Sequence, residues 1–451
     1  MPQTSFPGSP AAKAESAGAL LPLALFLVLF IGTGLFLTAS GTQMAFYQLS
    51  ATVAILPSIA WAVWMGRGTI AEKIGVMLSG AGEPGIITMC MIYLLAGGFA
   101  SVAKAIGGVD STVNLGLSVI PAGFVLPGLF VIAGFISTAM GTSMGTIAAM
   151  TPIAVGVAAK TGISPAFLVG TVVGGAMFGD NLSMISDTTI AATQSQGCKM
   201  SDKFRMNLLI AMPAAVATII LLFIFGATGA VNQPGDYSLL KVLPYASILI
   251  MAVSGLNVFV VLSAGIVLAG LVGITMVDGY TPLALAQDIY KGFQGMHEIL
   301  VLSLLVGGLA ELLRYHGGLD WLISRIRSLT ERGGRGKASN TRASQLSIGL
   351  LAVLADICTA NNTVAIVLTG KMAKKIAEQG GVSPKRSASL LDIFSCVVQG
   401  IIPYGAQILL AGSIAEISPL AVAGKVHYCY LLAIAAAAAI VFGFPKEKAG
   451  R

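Results

Sequence analysis

The sequence predicts an all-α polytopic membrane protein with about ten transmembrane helices, two re-entrant hairpins and inverted-topology repeats that contain broken helices. Three observations lead to this fold class. The 451 residues are 56% hydrophobic and only 10% charged, whereas a soluble protein carries about 25% charged residues. Apolar runs long enough to cross a bilayer recur along the whole chain. The two halves of the chain also resemble each other in sequence.

The predicted spans are apolar runs close to the length of roughly 17–25 residues that crosses a bilayer. They cover residues 18–38, 50–66, 85–106, 163–196, 206–228, 242–254, 256–276, 296–316, 387–413 and 421–443. Polar residues interrupt the runs 163–196 and 387–413, which predicts two broken helices. The runs 242–254 and 256–276 are either two short spans or one bent pair. The first run exceeds the roughly 7–15 apolar residues of a signal peptide, so we expect the protein to retain it.

Two further apolar stretches, 122–160 and 343–379, carry small polar residues in their middle. A helix that breaks at mid-membrane and returns forms a re-entrant hairpin, which is tolerated where protein or a watery cavity covers the backbone. Two full crossings joined by a turn are the alternative in each stretch. Because the polar residues fall in the middle, the pattern favours the hairpin.

The distribution of Lys and Arg predicts the orientation, because cytoplasmic loops are enriched in both. With a cytoplasmic N-terminus, the inner segments hold 21 of the 26 basic residues. We therefore expect both termini on the cytoplasmic side of the cytoplasmic (inner) membrane, with the lipid bilayer as partner. These loops also explain the net charge of +7, so no nucleic-acid partner is expected. Lys199 and Lys203 are interpreted as such loop charges, and replacing either by alanine should preserve activity.

Two stretches of the chain match each other without gaps. LLAGGFASVAKAIGGVD at 94–110 and LLVGGLAELLRYHGGLD at 304–320 share eight of seventeen residues at an offset of 210. Further along, the threonines at the ends of 138–142 match those at the ends of 359–363. Each half then holds five crossings and one hairpin, and an odd number of crossings inverts the second copy. Inverted repeats are typical of secondary transporters.

The repeat divides the chain into a cytoplasmic tail, two repeats joined by a linker, and a second cytoplasmic tail. The predicted boundaries are 1–17, 18–228, 229–240, 241–443 and 444–451. The first repeat contains the hairpin 122–160 and the broken helix 163–196. The second repeat contains the hairpin 343–379 and the broken helix 387–413.

The densest polar stretch inside an apolar region is GDNLSMISDTT, which begins at Gly179. Asp180 and Asp187 lie in it, seven residues apart. Its other polar residues are Asn181, Ser183, Ser186, Thr188 and Thr189. Polar groups in lipid are costly, so we expect these residues to line a cavity. Unwound backbone carbonyls with Asp, Ser and Thr oxygens are typical ligands of Na⁺, and we expect Asp180, Asp187 and Ser183 to bind it.

The corresponding stretch of the second half is VQGIIPYGAQ, residues 398–407, in which a proline interrupts the helix. It offers Gln399, Tyr404 and Gln407 but no charge, so we expect the acidic half to handle cations. The hairpin tips add hydroxyl and amide groups that can cap helices and still face a ligand. The candidate tip residues are Thr142, Ser143, Asn361, Asn362 and Thr363.

Two further acids in apolar surroundings are candidates for carrying protons. Asp356 precedes the tip of the second hairpin and is also a candidate ion ligand, and Asp392 lies on the first arm of the second broken helix. A desolvated carboxyl group exchanges its proton nearer to neutral pH. If Na⁺ and a proton compete for one carboxylate, the protein exchanges the two ions without further machinery. The predicted proton carriers are therefore Asp180, Asp187, Asp356 and Asp392.

Enzymatic activity is not expected. The sequence shows no nucleophile–base cluster, no HExxH metal motif and no GxxxxGK[ST] phosphate loop, which argues against a membrane enzyme and against direct use of ATP. We predict no cofactor, and only Na⁺ and H⁺ as coupling ions. Channels also contain broken helices, so a channel is a minor alternative that saturable counterflow would exclude.

The stretches GTSMGTIAAMTPIAVGVA at 141–158 and GAMFGDNLSMISDTTIAAT at 175–193 resemble the NhaC-type sodium/proton antiporter family of the ion-transporter superfamily. The tip TANNT at 359–363 is similar to the Ser/Asn/Thr tips found elsewhere in that superfamily. The resemblance implies a scaffold domain, a moving transport domain, and a site formed by hairpin tips and broken helices. The resemblance also implies a homodimer.

The leading functional hypothesis is a secondary active transporter that exchanges Na⁺ for protons across the cytoplasmic membrane by alternating access. The alternative is a Na⁺- or H⁺-coupled transporter of an amino acid or small carboxylate. In that case Asn361 and Asn362 would hold the carboxylate group of the solute. Counterflow of a labelled solute in proteoliposomes separates the two hypotheses.

Overall fold

The structure is a computed structural model that describes residues 16–42, 48–66, 68–184, 186–226, 235–322, 324–325 and 337–445. All regular elements in these ranges are helices, which confirms the all-α prediction. Most of the predicted tails, 1–17 and 444–451, and part of the linker 229–240 lie outside the described residues. Eight of the described helices are long and apolar enough to cross a membrane, and shorter apolar helices accompany them.

The helices of the first half are labelled α1 to α10 in chain order. α1 has four consecutive segments, Ala17–Leu20, Leu21–Leu27, Val28–Gly32 and Thr33–Ala39, and α2 has two, Ala51–Ala54 and Leu56–Trp64. Next come α3 (Ile70–Ala81), α4 (Pro84–Ala105), α5 (Gly108–Val119), α6 (Val125–Met140), α7 (Ser143–Thr161), α8 (Pro165–Leu182), α9 (Asp187–Gln196) and α10 (Met200–Gly226). The short helices α3 and α5 are absent from the predicted spans.

The helices of the second half are labelled α11 to α19. They are α11 (Leu239–Val253), α12 (Val258–Met276), α13 (Pro282–Tyr315), α14 (Lys337–Thr359), α15 (Asn362–Gly380), α16 (Pro384–Gln399), α17 (Ala406–Ala415), α18 (Pro419–Ala423) and α19 (His427–Phe442). The predicted runs 242–254 and 256–276 are therefore two separate helices, α11 and α12, which pack against each other.

Helices α6–α7 and α14–α15 form the two predicted hairpins. Their turns lie at Gly141 and Ala360, which both have left-handed backbone with φ of 69° and 49°. The carbonyl oxygen of Ala360 accepts a hydrogen bond from Gln399 Nε2 at 3.0 Å. In the other tip, Ser143 Oγ donates to Asp180 Oδ2 at 3.1 Å. Both tips therefore bond to broken helices in the interior of the protein, as the re-entrant prediction requires.

The broken helices of the two halves correspond at a single offset of 219 residues. α8 and α16 begin at Pro165 and Pro384, and α9 and α17 span Asp187–Gln196 and Ala406–Ala415. The hairpin turns at 141 and 360 keep the same offset. The predicted match of 138–142 with 359–363, whose offset is 221, is therefore wrong by two residues. The two threonines at each place are a coincidence of composition, because the left-handed turn fixes the register.

The two halves meet where α4 packs against α13. Cys90 Sγ lies 3.8 Å from the carbonyl oxygen of Leu300, and Tyr93 Oη lies 3.2 Å from Ser303 Oγ. In each pair the residue numbers differ by 210, the offset of the sequence repeat. Equivalent residues contact each other only near an axis that exchanges the halves, so a pseudo-two-fold axis passes close to Cys90.

α13 is a continuous helix of 34 residues, whereas the sequence predicts a span that begins at 296. Thr281 caps its first turn and Pro282 occupies its first position, so the helix begins fourteen residues earlier than expected. Its counterpart in the first half is divided into α3 and α4. The division falls at Gly82 and Glu83, and it places the partly buried Glu83 at a helix break.

Candidate cation site

The break between α8 and α9 is held by bonds among its own polar residues. Ser186 caps α9, since its Oγ accepts a hydrogen bond from the backbone N–H of Thr189 at 3.3 Å. Thr189 Oγ1 donates to the carbonyl oxygen of Ser183 at 2.7 Å. These short side chains satisfy backbone groups that a helix would otherwise bond, so the chain can leave the helix inside the protein.

A cavity of about 120 Å³ lies beside this break and the tips of both hairpins. Asp180 and Asp187 both line it, as the sequence predicts. The other predicted site residues in its wall are Thr142, Ser143, Thr188, Asn361, Asn362, Thr363 and Gln407. The cavity therefore joins residues from five separate parts of the chain, three from the first half and two from the second.

Asp180 is only 4% exposed and belongs to a chain of hydrogen bonds that crosses between the halves. Ser143 Oγ donates to its Oδ2 at 3.1 Å, and Gln407 Nε2 donates to Ser143 Oγ at 3.2 Å. Gln399 Nε2 in turn donates to Gln407 Oε1 at 2.8 Å. Gln399 lies 219 residues after Asp180 and is therefore its counterpart in the second half. The series of hydrogen bonds thus connects the acidic residue of one half to the neutral residue of the other.

Asp187 is the first residue of α9 and is exposed at the cavity. No hydrogen bond to its carboxylate is found among the described residues. A carboxylate at a helix N-terminus interacts favourably with the helix dipole, so Asp187 suits this position without a bond to a neighbouring side chain. Asp187 is therefore free to bind an ion from the cavity.

Several predicted ligands do not line the cavity. Asn181, Ser183, Ser186 and Thr189 lie behind its wall, where they bond to each other and to neighbouring helices; Asn181 Nδ2, for example, lies 3.3 Å from Tyr428 Oη. Ser183 is buried and is not brought to the cavity with Asp180 and Asp187, so the predicted set of three Na⁺ ligands is not assembled here.

The neutral half contributes less to the wall than expected. Gln399 is buried behind Gln407. Tyr404 is outside the cavity wall, because its hydroxyl donates to the carbonyl oxygen of Ile357 at 2.8 Å and its ring packs against Phe26. Both residues hold the second hairpin against the broken helix.

Asp392 forms an ion pair with Lys203 at 2.7 Å, and both side chains are fully buried. Asn207 Nδ2 also donates to Asp392 Oδ2 at 2.7 Å. The interpretation of Lys203 as a loop charge is therefore wrong. Lys203 lies one turn into α10, and packing against α16 turns its side chain inward. Lys199, by contrast, is exposed.

Asp356 is fully buried on α14, and neither of its carboxyl oxygens has a hydrogen-bond partner among the described residues. It lines neither the cavity nor the smaller one beside it. The structure thus separates Asp356 from Asp180 and Asp187 and leaves it as an isolated acid in the hairpin arm.

Glu83 lines the cavity and was not predicted as a site residue. The sequence signal that would have identified it is Gly82-Glu83-Pro84, a helix break with an acid at the capping position. Among the described residues that line the cavity, Glu83, Asp180 and Asp187 are acidic and none is Lys, Arg or His. Across the described part of the chain, no three His, Cys, Asp or Glu side chains lie close enough together to hold a metal ion on their own.

Comparison with known proteins finds similarity to Na⁺/H⁺ antiporters. Residues 11–227 match the sequence model of the Na⁺/H⁺ antiporter family. The chain is 26% identical over 350 residues to the Na⁺/H⁺ antiporter NhaC of Alkalihalophilus pseudofirmus, covering 70% of this chain and 73% of that protein. It is 22% identical over 417 residues to NhaC of Bacillus subtilis, covering 86% of this chain and 90% of that protein.

A third relative carries a different name. The malate-2H⁺/Na⁺-lactate antiporter of Bacillus subtilis is 22% identical over 460 residues, covering 94% of this chain and 95% of that protein. Together with the apolar helices, these matches identify an integral membrane protein that is a transporter rather than an enzyme. They also confirm the resemblance to NhaC-type sodium/proton antiporters that the motifs at 141–158 and 175–193 predict.

Proposed function

We propose that this protein exchanges Na⁺ for H⁺ across the cytoplasmic membrane by alternating access, with the cation bound between Asp180 and Asp187. One observation carries the proposal. The two carboxylates share one cavity whose described wall contains no basic side chain. Two carboxylates that face one space repel each other, and a bound cation, either Na⁺ or a proton, relieves this repulsion.

The same oxygen atoms account for the coupling. A carboxylate oxygen that binds Na⁺ cannot at the same time carry a proton, so arrival of one cation favours departure of the other. Asp180 is the more constrained of the two acids, because it is buried and accepts a hydrogen bond from Ser143. Asp187 is exposed at the cavity and would exchange its ion first.

The neutral groups in the wall suit a small hard cation. Thr142, Ser143 and Thr188 line the cavity with hydroxyl groups, and oxygen ligands near broken helices are the usual Na⁺ ligands in transporters. The energy source is the ion gradients, since one charge moved through 100 mV is worth roughly 2.3 kcal/mol. No covalent step is required.

The test is an exchange assay with purified protein in liposomes that contain a pH-sensitive dye. External Na⁺ should change the internal pH, and Asp187→Asn and Asp180→Asn should each abolish this response. Asp110→Asn is the matched control, because Asp110 is an exposed acid in the first turn of α5, outside the cavity. We expect it to transport like the wild type.

A solute-coupled carrier gives a different result in the same assay. The pH would then respond to Na⁺ only when a transported amino acid or carboxylate is also present, and labelled solute would show counterflow. Wild-type flux in Asp187→Asn would remove Asp187 from the mechanism. Failure of the wild type to move protons in response to Na⁺ alone would refute the proposed antiport.

A further inference from the structure

Glu83 occupies a break between two helices that is unique to the first half of the described fold. It is the capping residue of α4, and its Oε2 accepts a hydrogen bond from the backbone N–H of Ile86 at 3.1 Å. At the corresponding place in the second half, α13 continues without a break. The capping bond uses only Oε2. Oε1 has no hydrogen-bond partner among the described residues and can therefore contact a ligand.

Glu83 faces the cavity from a different side than the two aspartates. Asp180 and Asp187 belong to the broken helix α8–α9, whereas Glu83 lies between α3 and α4, which pack on α13. All three acids line the same space. A cation that passes through this space would thus meet acids from the α3–α4 junction and from the α8–α9 break.

A buried amide next to Glu83 lacks a partner within the described part of the chain. Asn361 is 2% exposed and lines the cavity, and its Nδ2 has no hydrogen-bond partner among the described residues. Its Oδ1 is engaged, since it accepts a bond from the backbone N–H of Val364 at 3.1 Å. A buried donor without an acceptor is unfavourable, which indicates that an acceptor completes the site, supplied either by the hydration water of a bound ion or by a rearranged Glu83.

Gly85 shows how close Glu83 and Asn361 lie. A Cβ atom at Gly85 would be 2.8 Å from Glu83 Oε2 and 3.4 Å from Asn361 Nδ2. The carboxylate and the amide therefore flank the same glycine without bonding to each other. A glycine at this position leaves room for both groups at the cavity wall.

A second, smaller cavity of about 40 Å³ adjoins this point. Glu83 and Asn361 line both cavities, and the second also contacts Glu311 and Arg314. Glu311 and Arg314 form an ion pair whose side chains are partly exposed. Glu83 thus lies between the aspartates and a partly exposed charged pair.

We propose that Glu83 is a third carboxylate of the cation site and the first that an ion meets on a route from the Glu311–Arg314 pair. This inference rests on the proposed cation-exchange function, because it assigns Glu83 to the same site. Asp180 and Asp187 then bind the ion deeper in the cavity. The route passes from one group of helices to the other, which is where alternating access requires a change of contacts.

The test measures equilibrium binding of ²²Na⁺ to detergent-purified protein. Glu83→Gln keeps an oxygen that can accept the Ile86 N–H bond, so the cap survives while the charge is lost. We expect the Na⁺ concentration for half-saturation to rise about tenfold or more. Glu298→Gln is the matched control; Glu298 is an exposed acid on α13 that accepts a bond from Ser50, and its loss should leave binding unchanged.

Gly85→Ala gives a second variant with all charges intact. Its new methyl group would displace the Glu83 carboxylate, so we expect weaker Na⁺ binding, intermediate between the wild type and Glu83→Gln. Half-saturation of Glu83→Gln within about twofold of the wild type would overturn the inference. Wild-type protein that binds Na⁺ but exchanges no protons would refute the antiport alone, and the binding comparison would still decide the role of Glu83. Wild-type protein that binds no Na⁺ would overturn both.

Discussion

Lys203 Nζ lies 2.7 Å from Asp392 Oδ2, and neither side chain is exposed. The same ammonium group donates to Thr189 Oγ1 at 2.6 Å and to the carbonyl oxygen of Asn181 at 3.2 Å. One side chain of α10 therefore connects the break of the first half to the broken helix of the second half. The ammonium group of Lys203 therefore lies behind the part of the cavity wall that contains Asp180.

Loss of Lys203 should destabilise the protein. In Lys203→Ala, Asp392 would remain buried without its cation, and breaking a buried pair costs about 3–5 kcal/mol. We expect a clearly lower midpoint of thermal unfolding in detergent and loss of Na⁺/H⁺ exchange. Lys199→Ala should behave as wild type in both measurements, because Lys199 is exposed.

A double substitution distinguishes the contribution of the Lys203–Asp392 ion pair to stability from the cost of leaving one buried charge unpaired. Lys203→Met with Asp392→Leu removes both charges at once, and neutral replacement of a buried pair is often tolerated. We expect most of the thermal stability lost in Lys203→Ala to return. A double variant as unstable as Lys203→Ala would show that the other bonds of Lys203 matter more than the ion pair.

Replacement of Asp356 should separate proton exchange from Na⁺ binding. Its carboxyl group is buried without a described partner and outside the cavity. Since an amide cannot exchange a proton, Asp356→Asn should slow Na⁺-driven proton flux by about tenfold or more. Na⁺ half-saturation should stay within about twofold of the wild type. Unchanged flux would exclude Asp356 as a proton carrier, and lost Na⁺ binding would place it in the site.

The contact between α4 and α13 should not tolerate a methyl group. A Cβ atom at Gly97 would collide with the backbone oxygen of Gly292, and one at Gly292 with that of Gly97. Small residues allow such close packing of membrane helices. Gly97→Ala and Gly292→Ala should each destabilise the protein by about 1–3 kcal/mol, as measured by thermal unfolding in detergent.

Gly295→Ala is the control on the same helix, because a Cβ atom there has no neighbour within 4 Å. It should unfold at the wild-type temperature or slightly above, since alanine favours helix more than glycine does. If Gly97→Ala is as stable as Gly295→Ala, the two helices are farther apart than described.

Much of the fold could be predicted because the information is local. Hydropathy identified most of the membrane helices but missed the short helices α3 and α5. The polar residues inside apolar runs located both hairpins and both broken helices. Asp180 and Asp187 were found for the same reason, since charges within an apolar run must be sheltered from lipid. The match at an offset of 210 predicted the repeat, and contacts such as Tyr93 with Ser303 follow that offset.

Other features depend on which helix faces meet. Lys203 looked like a loop charge, because its distance from Asp392 along the chain hides their contact. The tip register was off by two residues, because composition alone cannot locate a left-handed turn. Glu83 was overlooked, since it precedes an apolar run and enters the cavity only through the packing of α3 and α4 on α13.

By itself, then, the sequence determined that this is a helical membrane protein, built from two related halves that both contain acids within apolar segments. Only the tertiary structure decided which acids share a cavity, which is paired with lysine, and which stands alone. The physical reason is that hydropathy and helix breaks are properties of neighbouring residues. The environment of a carboxylate, by contrast, is set by side chains from helices far apart in the chain.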